Sequence, residues 1–315
     1  MSHPAAISAT ARRPALRRWL LAGLALLLAA APLHAADVGI LLSDEAPLYR
    51  QLARDIGKRL RAARPDLAIE VRVRNGVLAQ GARLNIAIGT RAGAQMMAAG
   101  TETPLLVTLI PRATFRELAQ RLTPKATRRI SALYIDQPPR RSLALLEALL
   151  PPPRRVGVLV GPRSRYLVPE LESAAGTQVI VQAADPAAPL IDQLERLLDR
   201  TDSLLAVPDP ELYNRETLKP ILLTTFRYRQ PLIGFSRAYV RAGALAAPYS
   251  APGHLARDAA ETALALLEPG ARAVVRAPAY FDIALNRQVA RSLGIRLPDI
   301  DDLRARLGAI PEETL

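Results

Sequence analysis

Residues 201–250 read TDSLLAVPDPELYNRETLKPILLTTFRYRQPLIGFSRAYVRAGALAAPYS, and this stretch decides the fold. The apolar run at residues 204–207 has the length of a buried parallel strand, and Asp209 stands in the proline-flanked loop beyond it. Asn214 is suited to cap the helix that follows, because its side chain can accept a hydrogen bond from a first-turn amide. A second strand is predicted at residues 232–235. The pattern indicates a strand–helix–strand unit with polar residues at the carboxyl ends of its strands, where open α/β sheets bind ligands.

The first 35 residues are typical of a secretory signal peptide. Its basic residues are Arg12, Arg13, Arg17 and Arg18. They precede an apolar segment at residues 19–31, which is too short to span a bilayer comfortably. Pro32 ends this segment, and cleavage is expected after Ala35. We therefore predict an exported, periplasmic protein that begins at Ala36; a leader kept as a membrane anchor is the alternative.

Composition disfavours several classes of function. The chain has no cysteine, which excludes disulfides, thiolate chemistry and a lipid anchor on cysteine. Its formal net charge is +13, but the basic residues are scattered, often beside Glu or Asp, without the basic stripe that nucleic-acid binding needs. His254 is the one histidine beyond the leader, so Ser-His-Asp catalysis and multi-histidine metal sites are strongly disfavoured. We expect no nucleic-acid partner, no metal and no cofactor.

Strands and helices alternate through two similar rounds along the chain. Each round opens with a Val-Gly-(Ile/Val)-Leu strand, the first at residue 38 and the second at residue 156. This repetition predicts an α/β fold with two similar lobes, each a doubly wound parallel sheet covered by helices, joined by a hinge of several crossovers. The expected divisions are 1–35 for the signal peptide, 36–136 with about 250–275 for the first lobe, and 137–249 with about 276–315 for the second.

Polar and aromatic residues near predicted strand ends are the candidate ligand-binding residues. Several arginines follow strand ends and together could bind a carboxylate or phosphate, although solvated loop arginines are the alternative reading. The turn at residues 89–93 opens a helix whose amides could hold an anion, or it is simply a turn that needs glycine. Asp136 is interpreted separately, as a helix cap or a hinge contact. The candidates are Ser43, Asp44, Thr90, Arg91, Arg112, Arg163, Ser164, Asp209, Tyr213, Ser236 and Tyr249.

Four blocks carry a family resemblance in their order and spacing. They are IGTRAGAQ at residues 88–95, VGVL at 156–159, the region from Asp209 to the Gly-Ala-Leu at 243–245, and NRQVARSLGIRLP at 286–298. Together they resemble the ABC-transporter substrate-binding proteins with the type I periplasmic-binding fold, whose better understood members bind tryptophan-like and related ligands. The resemblance implies a small-molecule ligand held between two lobes and an inner-membrane ABC permease as partner.

One loop departs from the pattern of this family. Such proteins usually have an Asp-Pro pair after the fourth strand, where this chain has TLIPR at residues 108–112. That loop would face the ligand, so the family's ligand identity is not carried over.

Three hypotheses of function follow from the sequence. The leading one is the monomeric solute-binding component of an ABC-type import system, which binds an anionic or amino-acid-like molecule by hinge closure. A variant with the same fold senses its ligand and acts on a membrane receptor. The third is an exported α/β enzyme that uses Asp44 or Asp209, although the sequence offers neither a nucleophile with its base nor a set of metal ligands.

Overall fold

The computed structural model describes residues 36–73, 81–100, 102–152, 154–173 and 178–308. Two six-stranded sheets organise this part of the chain, and each sheet forms the centre of one lobe. Strands and helices are numbered below in chain order. The predicted signal peptide and the turn expected at Asn75-Gly76 lie outside the described residues.

The sheet of the first lobe has the order β2-β1-β3-β4-β5-β11 and is parallel throughout. All five residues of β1 are buried, and it pairs with β2 on one side and β3 on the other. Its side chains alternate between the two faces, so that Ile40 joins one hydrophobic core and Leu41 the other. The strands are β1 (Val38–Leu42), β2 (Ile69–Val73), β3 (Leu84–Ile88), β4 (Leu105–Ile110), β5 (Ile130–Tyr134) and β11 (Val275–Arg276).

Helices cover both faces of this sheet. They are α1 (Pro47–Ala63), α2 (Thr90–Ala99), α3 (Arg112–Ala119), α4 (Pro124–Thr127) and α10 (Pro252–Leu266). Leu52, Ile56 and Leu60 recur at helical spacing on α1 and pack with the alanine-rich face of α10 in one core. Met97 of α2 and Phe115 of α3 lie in the core on the other face. The late helix α10 thus belongs to the first lobe.

The sheet of the second lobe repeats this arrangement in the order β7-β6-β8-β9-β10-β12. Its first five strands are parallel, whereas β12 runs antiparallel to β10. Val156, the first apolar residue of β6, pairs with Val179 of β7 and Ser203 of β8. The strands are β6 (Arg155–Val160), β7 (Gln178–Ala183), β8 (Ser203–Leu205), β9 (Leu232–Ile233), β10 (Ala246–Tyr249) and β12 (Asp282–Leu285).

The helices of the second lobe share one large core with its strands. They are α5 (Pro139–Leu149), α6 (Val168–Glu172), α7 (Leu190–Leu198), α8 (Arg215–Arg227), α9 (Arg237–Ala242), α11 (Arg287–Ser292) and α12 (Ile300–Gly308), with a 3₁₀ turn at Arg165–Leu167. Asn214 caps α8 as expected, accepting from the amides of Glu216 and Thr217. Leu303 and Leu307 of α12 are buried in this core, and α12 packs against α5.

Three crossovers connect the lobes, after β5, after β10 and after β11. Hydrogen bonds tie these crossovers together. The Gln137 side-chain amide donates to the Ser250 hydroxyl at 2.9 Å, and that hydroxyl donates to the carbonyl of Tyr280 at 2.6 Å. Buried Arg141 donates to Gln137 at 2.6 Å and to the carbonyl of Pro278 at 3.2 Å. The hinge is therefore a polar bundle of three chain segments rather than a single flexible linker.

The predicted fold class is confirmed, with local differences. The second sheet is not wholly parallel, because β12 joins it in the opposite direction. No regular element was predicted at the positions of strand β10 and helix α9. Their sequences give a weak signal: β10 reads Ala-Ala-Pro-Tyr, and proline removes a ladder donor from a strand. The sequence pattern also predicts a helix at about residues 114–121, and in the structure this helix begins at Arg112, directly after Pro111.

Candidate ligand-binding cleft

A cavity of about 530 Å³ lies between the two lobes. The loops after β4 and β5 form its first-lobe wall, and the loops after β6, β8, β9 and β10 form its second-lobe wall. Parallel strands gather these loops at the carboxyl edge of each sheet, and both edges face the same space. A cavity of this size can enclose a small organic molecule.

The wall of the cavity is mostly apolar. Its apolar residues are Leu48, Leu109, Pro111, Ala113, Ile135, Pro208, Pro210, Phe235, Ala238, Pro252 and Leu255. Aromatic rings dominate on the second-lobe side, where Phe235 lies edge-on to Tyr213 with ring centroids 6.2 Å apart. Phe235 also packs against Tyr239, with a centroid separation of 4.4 Å. Such a wall suits a ligand with an apolar or aromatic body.

An ion pair joins the lobes beside the cavity. Arg112, at the start of α3 in the first lobe, donates through Nη1 to Oε2 of Glu170 in α6 at 2.8 Å. Each side chain is only 13% exposed. Burial alone would lower the pKa of Arg112, but its hydrogen bond and attraction to Glu170 outweigh burial and raise that pKa. Arg112 was predicted as a ligand contact, whereas here its charge is directed at the opposite lobe.

A second ion pair also joins the lobes, but here the arginine belongs to the second lobe and the carboxylate to the first. Arg163 of the second lobe pairs with Glu117 of α3. The guanidinium groups of Arg112 and Arg116 lie 5.3 Å and 5.0 Å, respectively, from the centroid of the Tyr166 ring. We call the two ion pairs, Arg112–Glu170 and Arg163–Glu117, the inter-lobe latch.

Asp136 and Asp209 are the two carboxylates that line the main cavity in the described part of the chain. Asp136 follows β5, lines the main cavity, and also lines a second cavity of about 30 Å³, room for about one water molecule. Its Oδ2 accepts the amide proton of Arg112 at 2.5 Å. Burial raises the pKa of Asp136 to about 6, with the Arg112 amide, its own backbone and the Arg112 charge only partly opposing the effect.

Asp209 and Ser164, both predicted site residues, are bonded to each other. The Ser164 hydroxyl donates to Asp209 Oδ2 at 2.8 Å and accepts the amide of Gly161 at 3.0 Å. Asp209 Oδ1 accepts the amide of Glu211 at 3.0 Å. A Cβ on Gly161 would stand 2.7 Å from Asp209 Oδ2, so only glycine fits there. Asp209 reaches the cavity wall, but 1% exposure and these bonds make it chiefly a support for the β6 and β8 loops.

Three further predicted residues, Tyr213, Ser236 and Tyr249, line the main cavity. Tyr213 is buried and donates its hydroxyl to the carbonyl of Leu159 at 3.4 Å. Ser236 is the N-cap of α9 and accepts from the amide of Tyr239 at 3.4 Å. Tyr249 ends β10, next to the second crossover. Together they extend the aromatic and polar surface of the second lobe.

Four of the five predicted first-lobe residues line a different cavity. Ser43, Asp44, Thr90 and Arg91, with Tyr49, surround a space of about 300 Å³. The Ser43 hydroxyl accepts from the amide of Ala92 at 2.9 Å, in the turn that opens α2. That turn requires glycine at position 89, where φ is +93° and a Cβ would lie 2.6 Å from Ser43 Oγ.

Asp136, Phe235 and Tyr166 are among the cleft residues that were not sequence candidates. Asp136 was assigned to a cap or hinge, Phe235 to the end of a strand, and Tyr166 to no role. Asp136 and Phe235 stand at strand ends, which is the signal that selected the other candidates. The positions of Asp136 and Phe235 at strand ends could have identified them from the sequence as cleft residues. Tyr166 is recognisable only from its contacts with the opposite lobe.

In the part of the chain that the structure describes, no group of three or more His, Asp or Glu side chains is placed to hold a metal ion. None of the described helices is long and apolar enough to cross a membrane.

Several solved structures share this architecture. A ligand-free, open substrate-binding protein with adhesive properties from Clostridium difficile has a TM-score of 0.65 and 18% identity, covering 84% of this chain and 96% of its own. An ABC domain in complex with L-Trp from Streptococcus pneumoniae has a TM-score of 0.54 and 18% identity, with coverages of 85% and 98%. A conserved domain protein from Vibrio cholerae has a TM-score of 0.55 and 19% identity, with coverages of 86% and 98%.

These likenesses establish the fold. The chain has the two-lobe α/β architecture of the type I periplasmic-binding proteins, as the sequence resemblance predicted. No protein-family model matches the chain. No curated protein matches it significantly either.

Proposed function

We propose that this chain is a solute-binding protein that holds a small molecule in the cavity between its lobes. The observation that carries the proposal is the cavity itself, about 530 Å³ in volume and lined by strand-end loops of both lobes. A ligand there would contact both lobes at once. The apolar and aromatic wall would supply affinity, and a few polar groups would supply orientation.

Hinge closure is the proposed mechanism of binding. A ligand that touches both walls binds the closed arrangement better than an open one, and this difference in affinity shifts the population toward closure. The three bonded crossovers would guide the movement along one path. Arg163 of the inter-lobe latch lines the cavity, whereas its partner Glu117 and the carboxylate Glu170 do not, so the ion pairs would add to the stability of the closed arrangement from the border of the cavity.

The proposal extends to a role in import. The sequence resemblance to ABC substrate-binding proteins supports it, as does the similarity in fold to an ABC domain in complex with L-Trp. On this account the signal peptide exports the chain to the periplasm, and the partner of the ligand-bound, monomeric form is an inner-membrane ABC permease. A sensing role with a membrane receptor would use the same cleft and the same closure.

A thermal-shift screen tests the binding function. The chain from Ala36 onward is unfolded and refolded to remove any carried ligand, then heated with amino acids, amines, carboxylates, nucleosides, sugars and phosphate esters. A solute at 100 times its dissociation constant should add about 2.7 kcal/mol to the stability of the fold. We expect at least one solute class to raise the melting temperature by several degrees.

Matched tryptophan substitutions locate the binding. Ala238 is exposed on α9 and lines the cavity, so Ala238→Trp should fill the cleft and abolish the shift. Ala98 is exposed on α2 of the first lobe, away from the cleft-lining residues, and Ala98→Trp should leave the shift intact. A shift that survives Ala238→Trp would place binding elsewhere and refute the proposal.

A further inference from the structure

Among the described residues, four of the five arginines that line the two cavities are already paired with acceptors. Arg112 and Arg163, the candidates for binding an anion, each face a carboxylate of the opposite lobe in the inter-lobe latch. Behind them Arg141 donates to a glutamine and a carbonyl. Arg276 makes two hydrogen bonds to Asp258, at 2.5 and 3.0 Å. These side chains therefore offer little charge to an anionic ligand.

Asp136 stands in the opposite situation. Its Oδ2 accepts a hydrogen bond from a backbone amide, that of Arg112, and an amide carries no full charge. Asp136 lines the main cavity together with apolar and aromatic residues, Ile135 and Phe235 among them. Ionisation is penalised there, as the rise in its pKa to about 6 indicates. A ligand that brought a positive charge or a hydrogen-bond donor to this carboxylate would relieve that penalty.

Resting on the proposed function, we propose that Asp136 is the polar anchor of the cleft and that the ligand is an apolar or aromatic molecule with a protonated amine. The amine would donate to the carboxylate, and the apolar body would lie against the aromatic wall of the second lobe. The sequence suggested an anionic or amino-acid-like ligand, and this assignment favours a cationic amine in its place.

Other charged or titratable side chains line the same two cavities as Asp136. Those lining the two cavities, besides Asp136, are Arg112, Tyr134, Arg141, Arg163, Tyr166, Asp209, Tyr213, Arg237, Tyr249 and Arg276. Arg237 is exposed at the start of α9 and is the cation best able to meet an anionic ligand. Asp209 is bonded to Ser164 and to the Glu211 amide, which leaves Asp136 as the stronger candidate for a ligand cation.

Four phenyl compounds of similar size test the assignment by calorimetric titration of the chain from Ala36 onward. They are 2-phenylethylamine, 2-phenylethanol, 3-phenylpropionate and phenylalanine. We expect the amine to bind at least about ten-fold more tightly than the alcohol, a difference of one charge-assisted hydrogen bond. Asp136→Asn should reduce amine binding to the level of the alcohol and leave alcohol binding within about three-fold. Tightest binding of the propionate or of phenylalanine would overturn the proposal.

A control variant and a pH titration distinguish loss of amine recognition from damage to the fold. Asp44→Asn removes one carboxylate from the separate first-lobe cavity and should leave the amine preference unchanged. Amine affinity should also fall as the pH is lowered through about 6, because Asp136 gains a proton, whereas alcohol affinity should stay level. An amine preference that persists in Asp136→Asn, or that does not depend on pH, would refute the anchor.

The outcome also distinguishes this inference from the proposed function. If other solutes bind in the cleft but the amine does not exceed the alcohol, the inference fails and the binding function stands. If no solute of the broad panel binds, the binding function itself fails.

Discussion

At the scale of single residues, the cleft combines groups that support loops with groups that are free to act on a ligand. Ser164, Asp209 and Gly161 bond and pack with one another and hold two strand-end loops in place. Asp136 has a carboxylate in an apolar wall and one backbone donor. Both kinds of residue follow strand ends, so their positions in the sequence are alike, and only their contacts separate them.

Asp136 should make the stability of the fold depend on pH. Its pKa rises from 3.8 to about 6 on folding, so between these values the folded chain holds a proton that the unfolded chain has released. Stability is therefore greatest below the lower value and decreases as the pH rises toward 6. The unfolding free energy of the wild-type chain should be about 1 kcal/mol higher at about pH 5 than at about pH 7.5, after the pH dependence of Asp136→Asn is subtracted. Urea denaturation of both proteins measures this, and identical pH dependence would contradict it.

The sequence predicted candidate residues from their positions after strand ends. A binding site also depends on which side chains contact those residues in the folded protein. Arg112 and Arg163 do follow strand ends, as expected, but a carboxylate from the other lobe meets each of them. That contact joins residues 58 apart along the chain in the case of Arg112 and Glu170, and no local pattern reveals it. Whether the predicted residues bind ligand stays a prediction for the experiments above.

At the scale of elements, α3 and α6 control the contact between the lobes. Helix α3 carries Arg112 and Glu117, and α6 carries Glu170. Since both side chains of the first pair are mostly buried, removal of one charge leaves the other inadequately solvated in the closed arrangement. The open arrangement would relieve that cost by exposing the remaining arginine to water.

Glu170→Gln should therefore weaken ligand binding although Glu170 does not line the cavity. We expect affinity for the tightest solute of the screen to fall about five- to thirty-fold, equivalent to about 1–2 kcal/mol, mainly through faster dissociation. Stopped-flow and calorimetric titrations give the two quantities. Glu172→Gln removes the same charge from an exposed position on α6 and should bind as the wild type does. Equal affinity in the two variants would show that the latch does not contribute to closure.

Elements with continuous apolar runs were predictable, and elements without one were not. β1 and β3 are fully buried five-residue strands whose sequences are almost entirely aliphatic. β9 lies within the strand predicted at residues 232–235, whereas β10 contains Pro248 and is defined by tertiary pairing with β12 rather than by local preference. The start of α8 followed from the Asn214 cap.

At the scale of the whole molecule, the doubled strand–helix pattern was the strongest signal in the sequence. Two sheets with equivalent strand orders follow from it, and two ligand-facing edges follow from the parallel direction of their strands. What the pattern could not predict is the character of the space between the lobes. Its apolar wall and its latch depend on side chains from distant parts of the chain that meet only in the folded protein.

The central claim is that a small molecule binds between the lobes, and a single tryptophan in the cleft tests it most directly. The one tryptophan of the chain is Trp19, within the predicted leader, so the exported form would contain none. Phe235→Trp would put the only indole on the cavity wall, whereas Phe226→Trp would put it on α8 at a position that is 56% exposed and outside the cleft. Titration with the solute panel should give a saturable change in emission for Phe235→Trp and none for Phe226→Trp. No response at position 235 to any solute that raises the melting temperature, or equal responses at both positions, would contradict binding in the cleft.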